Sequence, residues 1–253
     1  MAVLTALGLM AAAGGLFGPA GAAGDDFRIE NRVYVSNQRQ PDAHSTTIFY
    51  GGVIYDFLDE PAEIVIFEKA SQRFILLDPG RRVTSELSTS EITAFLARIR
   101  RRAMQHPEAL VRFLADPAFA ERFDKATGEL TLENKWLTYR ARLSAASPEV
   151  ARQYREFSDR FAQLNSVLNP AARPPFARLC LNEALASRQA TASAIDLSVT
   201  PTKGGKTAIV RSRHDLTASL SAADLKRVAE AREALTTFQP VSFEQYHKGR
   251  HHE

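Results

Sequence analysis

The sequence has a single cysteine, Cys180, in 253 residues. No internal disulfide can form, so stability must come from a packed core. No cysteine follows the apolar N-terminal stretch to carry a lipid anchor. Beyond that stretch no run approaches the roughly 20 apolar residues that a membrane-spanning helix needs. Charge of one sign is in short supply too: 32 basic against 29 acidic residues leave +3. So small an excess gives no argument for a nucleic-acid partner. A Gly-x-Ser-x-Gly elbow and a His-Glu-x-x-His zinc pair are both missing. Lys203-Gly204-Gly205-Lys206-Thr207 contains the end of a phosphate-binding loop. Thr200 stands where its first glycine belongs, however, and the flanking pattern predicts a strand-to-strand hairpin. No cofactor or metal is expected.

Residues 1–24 contain no Asp, Glu, Lys or Arg. Val3 to Met10 running into Ala11-Ala12-Ala13 forms a short apolar core, broken by Gly14, Gly15, Gly18 and Pro19. The small residues Ala20-Gly21-Ala22-Ala23 then suit a signal peptidase. Residues 1–23 read as an export signal cleaved after Ala22 or Ala23, which places the protein in the periplasm or outside the cell. An uncleaved anchor helix is the competing reading, and the glycines and proline count against it. No basic residue precedes the apolar core, which is the one missing piece of a signal peptide.

Residues 24–240 read as one domain and 241–253 as a polar tail containing His247, His251 and His252. The first third alternates short β-branched and aromatic runs with tight turns, the mark of antiparallel strands. Several runs are apolar on both faces, Ile64 and Ile66 against Val65 and Phe67, so either both sides of the sheet are covered or one lines a cavity. Gly51-Gly52 is expected as a bend or bulge within one long strand. Ser88-Thr89-Ser90-Glu91 is a capping box opening a helix. Ser147 with Pro148 opens another, with Val150, Tyr154, Phe157, Phe161, Leu164 and Leu168 on one seam. A further helix carries Cys180 on the stripe Phe176, Cys180, Ala184, where an inert, packed thiol is expected. Two or three strands and a last helix, capped by Ser221 and Asp224, complete an α+β chain without regular βαβ alternation.

The strand Ile64-Val65-Ile66-Phe67, its tight turn, and Phe74-Ile75-Leu76-Leu77 ending in Asp78-Pro79 resemble the LolA-like periplasmic lipoprotein-carrier proteins. That resemblance implies a curved antiparallel sheet, an unclosed barrel packed with amphipathic helices, with an acyl chain or lipoprotein as partner. No functional residue of that group maps onto this chain.

The aromatic stripe Tyr154, Phe157 and Phe161 has two readings, plain core or the wall of a cavity for an apolar ligand. Arg98, Arg101 and Arg102, with Arg100, end the first helix, where they complement its dipole or meet an anionic lipid or partner. Asp56, Asp59, Glu60 and Glu63 cluster about a turn. They serve solubility or, as paired carboxylates, glycosidic chemistry. His44, His106 and His214 are scattered without a marked nucleophile. The leading expectation is a non-enzymatic carrier of an apolar ligand, ahead of a packed structural module and of a hydrolase using Asp56, Asp59 or His214. Whether the space under the 147–168 helix is filled, open and apolar, or open and polar separates the three.

Overall fold

The computed structural model describes residues 26–36, 38–169, 172–201 and 206–250. The expected leader lies outside them, as do Lys203, Gly204 and Gly205 of the phosphate-loop-like turn, and His251 and His252.

Six strands come first: β1 (Phe27–Val35), β2 (Ala43–Tyr50), β3 (Val53–Leu58), β4 (Glu63–Glu68), β5 (Arg73–Asp78) and β6 (Val83–Ser88). Helices α1 (Thr89–Met104) and α2 (Ala109–Ala115) lead to β7 (Ala120–Asp124), β8 (Glu129–Glu133) and β9 (Leu137–Ala145). Then come α3 (Pro148–Leu168), α4 (Phe176–Ala186), β10 (Ala190–Val199), β11 (Ala208–Thr217), α5 (Ala222–Thr237), β12 (Gln239–Pro240) and α6 (Phe243–Gly249).

The twelve strands among the described residues join one sheet in the order β12-β6-β5-β4-β3-β2-β1-β11-β10-β9-β8-β7. Every pairing is antiparallel except the two-residue β12 beside β6. At about 4.8 Å per strand a flat sheet of this order would be about 50 Å wide. A single apolar cluster nevertheless joins Leu87 of β6 and Leu130 of β8, nine strands apart, to the same helices. The sheet is therefore curved, and its two edges stay unpaired with each other, so the barrel is unclosed.

On the concave face Phe27, Phe49, Phe67, Phe74 and Leu76 pack beneath α1, α3 and α4. On the convex face α5 lays Val228, Ala231 and Ala234 against Ile48, Tyr55, Ile66, Ile75 and Leu77. The doubly apolar strands of the first third are explained by this arrangement: β2 to β5 are covered on both sides. Each such fully buried Ile, Leu or Phe contributes about 1.5–3 kcal/mol. Tyr55 reaches through α5 to accept a hydrogen bond from Arg232 Nε at 2.9 Å, and burial pushes its phenol up.

Three sequence readings need correction. Gly51 and Gly52 do not bend one strand. They are the whole loop of a β2–β3 hairpin, with Tyr50 opposite Val53 and φ of 58° and 77°. A two-residue loop with two left-handed positions matches the twist of its strands, and glycine takes it without a Cβ penalty. β7 is an extra strand, hidden in the sequence because Glu121, Arg122 and Asp124 leave an exposed edge without alternation. The supposed polar tail is also folded. Val241 N–H bonds Thr84 O at 2.8 Å, Ser242 and Gln245 form a capping box on α6, and Tyr246 is 0% exposed.

The helix starts follow the sequence. Ser88 with Glu91 and Ser221 with Asp224 form complete capping boxes, and Ser147 Oγ accepts the Val150 N–H at 3.2 Å. Ser147→Ala is expected to cost about 1 kcal/mol in urea denaturation, and Ser147→Gly only a few tenths. Equal losses would mean that the side-chain cap contributes nothing.

Candidate functional site

The inward positions of the central strands are not uniformly apolar. Along β1 they read Ile29, Asn31, Val33; along β2, Ser45, Thr47, Phe49; along β3, Ile54, Asp56, Leu58. Register places His214 opposite Asn31, Asn31 opposite Ser45, and Thr47 opposite Asp56. Four neighbouring strands thus bring five polar side chains together on the concave face.

They form one directed network. Thr47 Oγ1 donates to Asp56 Oδ1 at 2.6 Å, and Ser45 Oγ donates to the same oxygen at 3.2 Å. With both hydroxyl protons committed, the two oxygens accept from Asn31 Nδ2, at 2.9 and 3.3 Å. Asn31 Oδ1 is left facing His214 Nδ1 at 2.8 Å, so that nitrogen carries the proton, and Nε2 is an acceptor 3.0 Å from Ser212 Oγ, whose one proton also has Ile195 O within 3.3 Å. The carboxylate therefore sets the direction of the bonds out to His214.

Burial dominates the electrostatics. It pushes the Asp56 carboxyl up to about 6, against the two hydroxyl donors that favour the charged form. It pulls His214 down to about 3, assisted by the positive Arg178 and Arg213. A histidine held neutral this firmly is a weak general base near neutral pH. Ser212, His214 and Asn31 consequently have the composition of a nucleophile, base and orienter without the proton affinity that such chemistry needs.

The network is covered unevenly. Phe27, Ile29, Phe49 and Ile54 are buried, whereas Asn31, Val33, Ser45, Asp56, Leu58 and His214, farther along the same strands, are half-buried. Those residues line a bay at the lower part of the concave face. Tyr154 of α3 stands edge-on to His214, ring centroids 6.4 Å apart. It is 3% exposed, and its Oη lies beside Ser158 and the Ala192 backbone. Glu63, also inward, closes the far end: Tyr246 Oη donates to it at 2.7 Å and Arg250 at 2.7 Å. Arg250 and His247 further bond Leu168 O, tying α6 to the end of α3.

Of the expected cavity residues, Tyr154 is core, while Phe157 and Phe161 are partly buried and meet Phe49 and Phe74 edge-on at 5.7 Å. Side chains fill the space between α3 and the upper sheet. Two hollows lie elsewhere among the described residues. One is a groove of about 450 Å³ beside Leu179, Cys180 and Ala184, and the other is a polar one of about 260 Å³ among Arg140, Arg142, Asp196 and Arg213. Arg98, Arg101 and Arg102 are exposed on α1 and form no ion pair among the described residues, Arg98 lying over the Phe95 ring, whereas Arg100 pairs with Asp116. The acidic cluster is dispersed. Asp56 enters the network, Glu63 binds α6, and Asp59 faces His44 and Arg227 in solvent. Among the described residues no three His, Cys, Asp or Glu side chains converge as a metal site.

No sequence motif marks Asn31, Ser45, Thr47 or Ser212. Their signal is a polar residue at an inward position between apolar ones, and it becomes visible only once the register is known.

The architecture is that of an unclosed antiparallel half-barrel closed by helices. The chain is similar to a solved structure, LolA superfamily protein NE2245 from Nitrosomonas europaea, at 8% identity over 81% of this chain and 90% of that one, with a TM-score of 0.30. No family model matches the sequence, and no curated protein matches it.

Proposed function

We propose that the protein carries an apolar ligand, an acyl chain or the lipid of a lipidated protein, between the concave sheet and α3, in the compartment to which residues 1–23 export it. The carrying observation is the seam itself. Along the concave face α3 meets the middle strands through rings, Phe157 on Phe49 and Phe161 on Phe74, with Phe157 and Phe161 only partly buried. Each ring pair is worth about 0.5–1.5 kcal/mol, a loss that the burial of an entering chain offsets when it takes the place of the rings. Arg98, Arg101 and Arg102 offer an anionic membrane or partner a contact on the neighbouring helix.

The filled interior favours a second reading, a packed interaction module. Delipidated protein titrated with cis-parinaric acid separates the two. Carriage predicts saturable binding, strengthened several-fold in Phe157→Ala/Phe161→Ala because the ligand no longer has to displace the rings. Absence of binding in both proteins, each shown folded by circular dichroism, would establish the packed module instead.

A further inference from the structure

We propose that the bay around Asp56 binds the protonated amine of the apolar ligand, an inference that rests on the carriage reading above. Asp56 has no basic side chain within ion-pair distance among the described residues. Arg250 is paired with Glu63 and bonds Leu168 O; Arg178 donates to the neutral Asn182 amide and keeps its charge, which acts on His214; Arg227 lies on the convex side over Phe57, near Asp59, and acts on Asp56 only from a distance. His214 is neutral and has both ring nitrogens bonded within the network, so it supplies no cation either.

The carboxylate is also half-used. Both hydroxyl donors converge on Oδ1, while Oδ2 takes no hydrogen bond and is not among the buried polar atoms sealed from solvent. A charged oxygen that is desolvated on one side, open on the other and without a counter-ion is costly alone and favourable once a cation arrives. An ammonium group fits: it brings positive charge and three N–H donors to Oδ2 and the nearby hydroxyl oxygens. The apolar side chains that continue the same strands, Ile29, Ile54 and Phe49, lead from that point toward the ring seam, so an amine in the bay and a chain under α3 are compatible in one ligand.

Isothermal titration at pH 7.5, below micellar concentrations, compares dodecylamine with dodecan-1-ol on wild type and Asp56→Asn. Dodecylamine is expected to bind wild type at least tenfold more tightly than the alcohol, and the ratio to fall near one in Asp56→Asn. Equal affinities in wild type, or a ratio that survives the substitution, would overturn the proposal while leaving carriage intact. If neither compound binds wild type, carriage fails as well. Lysophosphatidylethanolamine and a palmitoylated peptide bearing one lysine, titrated in the same way, distinguish a lipid amine from a protein amine. If neither shows the Asp56 dependence, the proposal is overturned. Thermal unfolding of Asp56→Asn confirms that the variant is folded.

Discussion

Glu63→Ala is expected to lower the stability of the protein by about 3–5 kcal/mol, read from urea denaturation. Glu63 is 6% exposed and accepts from Tyr246 Oη and Arg250, so its removal strands two donors. Tyr246 is fully buried, and both burial and the adjacent carboxylate push its phenol up, which keeps it a donor with nowhere else to bond. Arg250, 17% exposed in its side chain, retains only Leu168 O. Glu63→Gln keeps an acceptor and should cost about 1–2 kcal/mol. Replacing the trio together, Glu63→Leu with Tyr246→Phe and Arg250→Met, should recover most of the loss, because packed apolar groups often match a buried ion pair. A loss under about 1 kcal/mol in Glu63→Ala would mean that this contact does not hold α6 to the sheet.

The second large effect is a pair of opposed pH dependences hidden in the wild type. Asp56 has its pKa raised from 3.8 to about 6 in the folded state. Its contribution is therefore fully present below about pH 4 and lost as pH rises through 6, a change of about 3 kcal/mol. His214 is lowered from 6.5 to about 3. Its contribution is complete above pH 6.5 and lost as pH falls toward 3, by about 5 kcal/mol over the full range. Between pH 4 and 6 the two trends run against each other. Asp56→Asn should therefore lose stability more steeply on acidification than wild type. His214→Gln should instead lose stability as pH rises from 4 to 6. Tm profiles of the three proteins from pH 4 to 8 test this, with other carboxylates such as Glu68 and Glu91 cancelling in the differences. Three parallel profiles would show that neither group is buried as described.

The local elements were legible because their chemistry is local. A Ser three residues ahead of a Glu or Asp orders a helix start wherever it lies, as Ser88 and Ser221 do, and a Ser followed by Pro does the same at Ser147. The β4–β5 hairpin was readable from two apolar runs and the turn between them. β7 was not, since an exposed edge strand has no buried side chain to impose alternation. Tyr246 was lost in the tail for a related reason: a single buried residue in a seven-residue helix leaves no periodic trace.

The candidate site was legible only in part. Asp56 and His214 stand out by residue type, yet 158 positions separate them, and β1 and β2 carry Asn31 and Thr47 between them. Pairing β1 with β11 is the step that unites them, and it joins strands from opposite ends of the chain. No local preference encodes such a pairing. It follows from burying both wings of one curved sheet under shared helices.

The sequence by itself determined a single-cysteine, core-stabilised α+β chain with antiparallel hairpins, helix starts at Ser88, Ser147 and Ser221, and strands apolar on both faces, because propensity, capping and periodicity act within a few residues. Only the tertiary structure decided that both faces of β2 to β5 are covered, that α6 closes onto Glu63, and that one carboxylate sits without a counter-ion in a half-open bay. Those outcomes depend on register and on what packs over each face, and they are fixed by the free energy of burial across the whole sheet rather than by any segment of it.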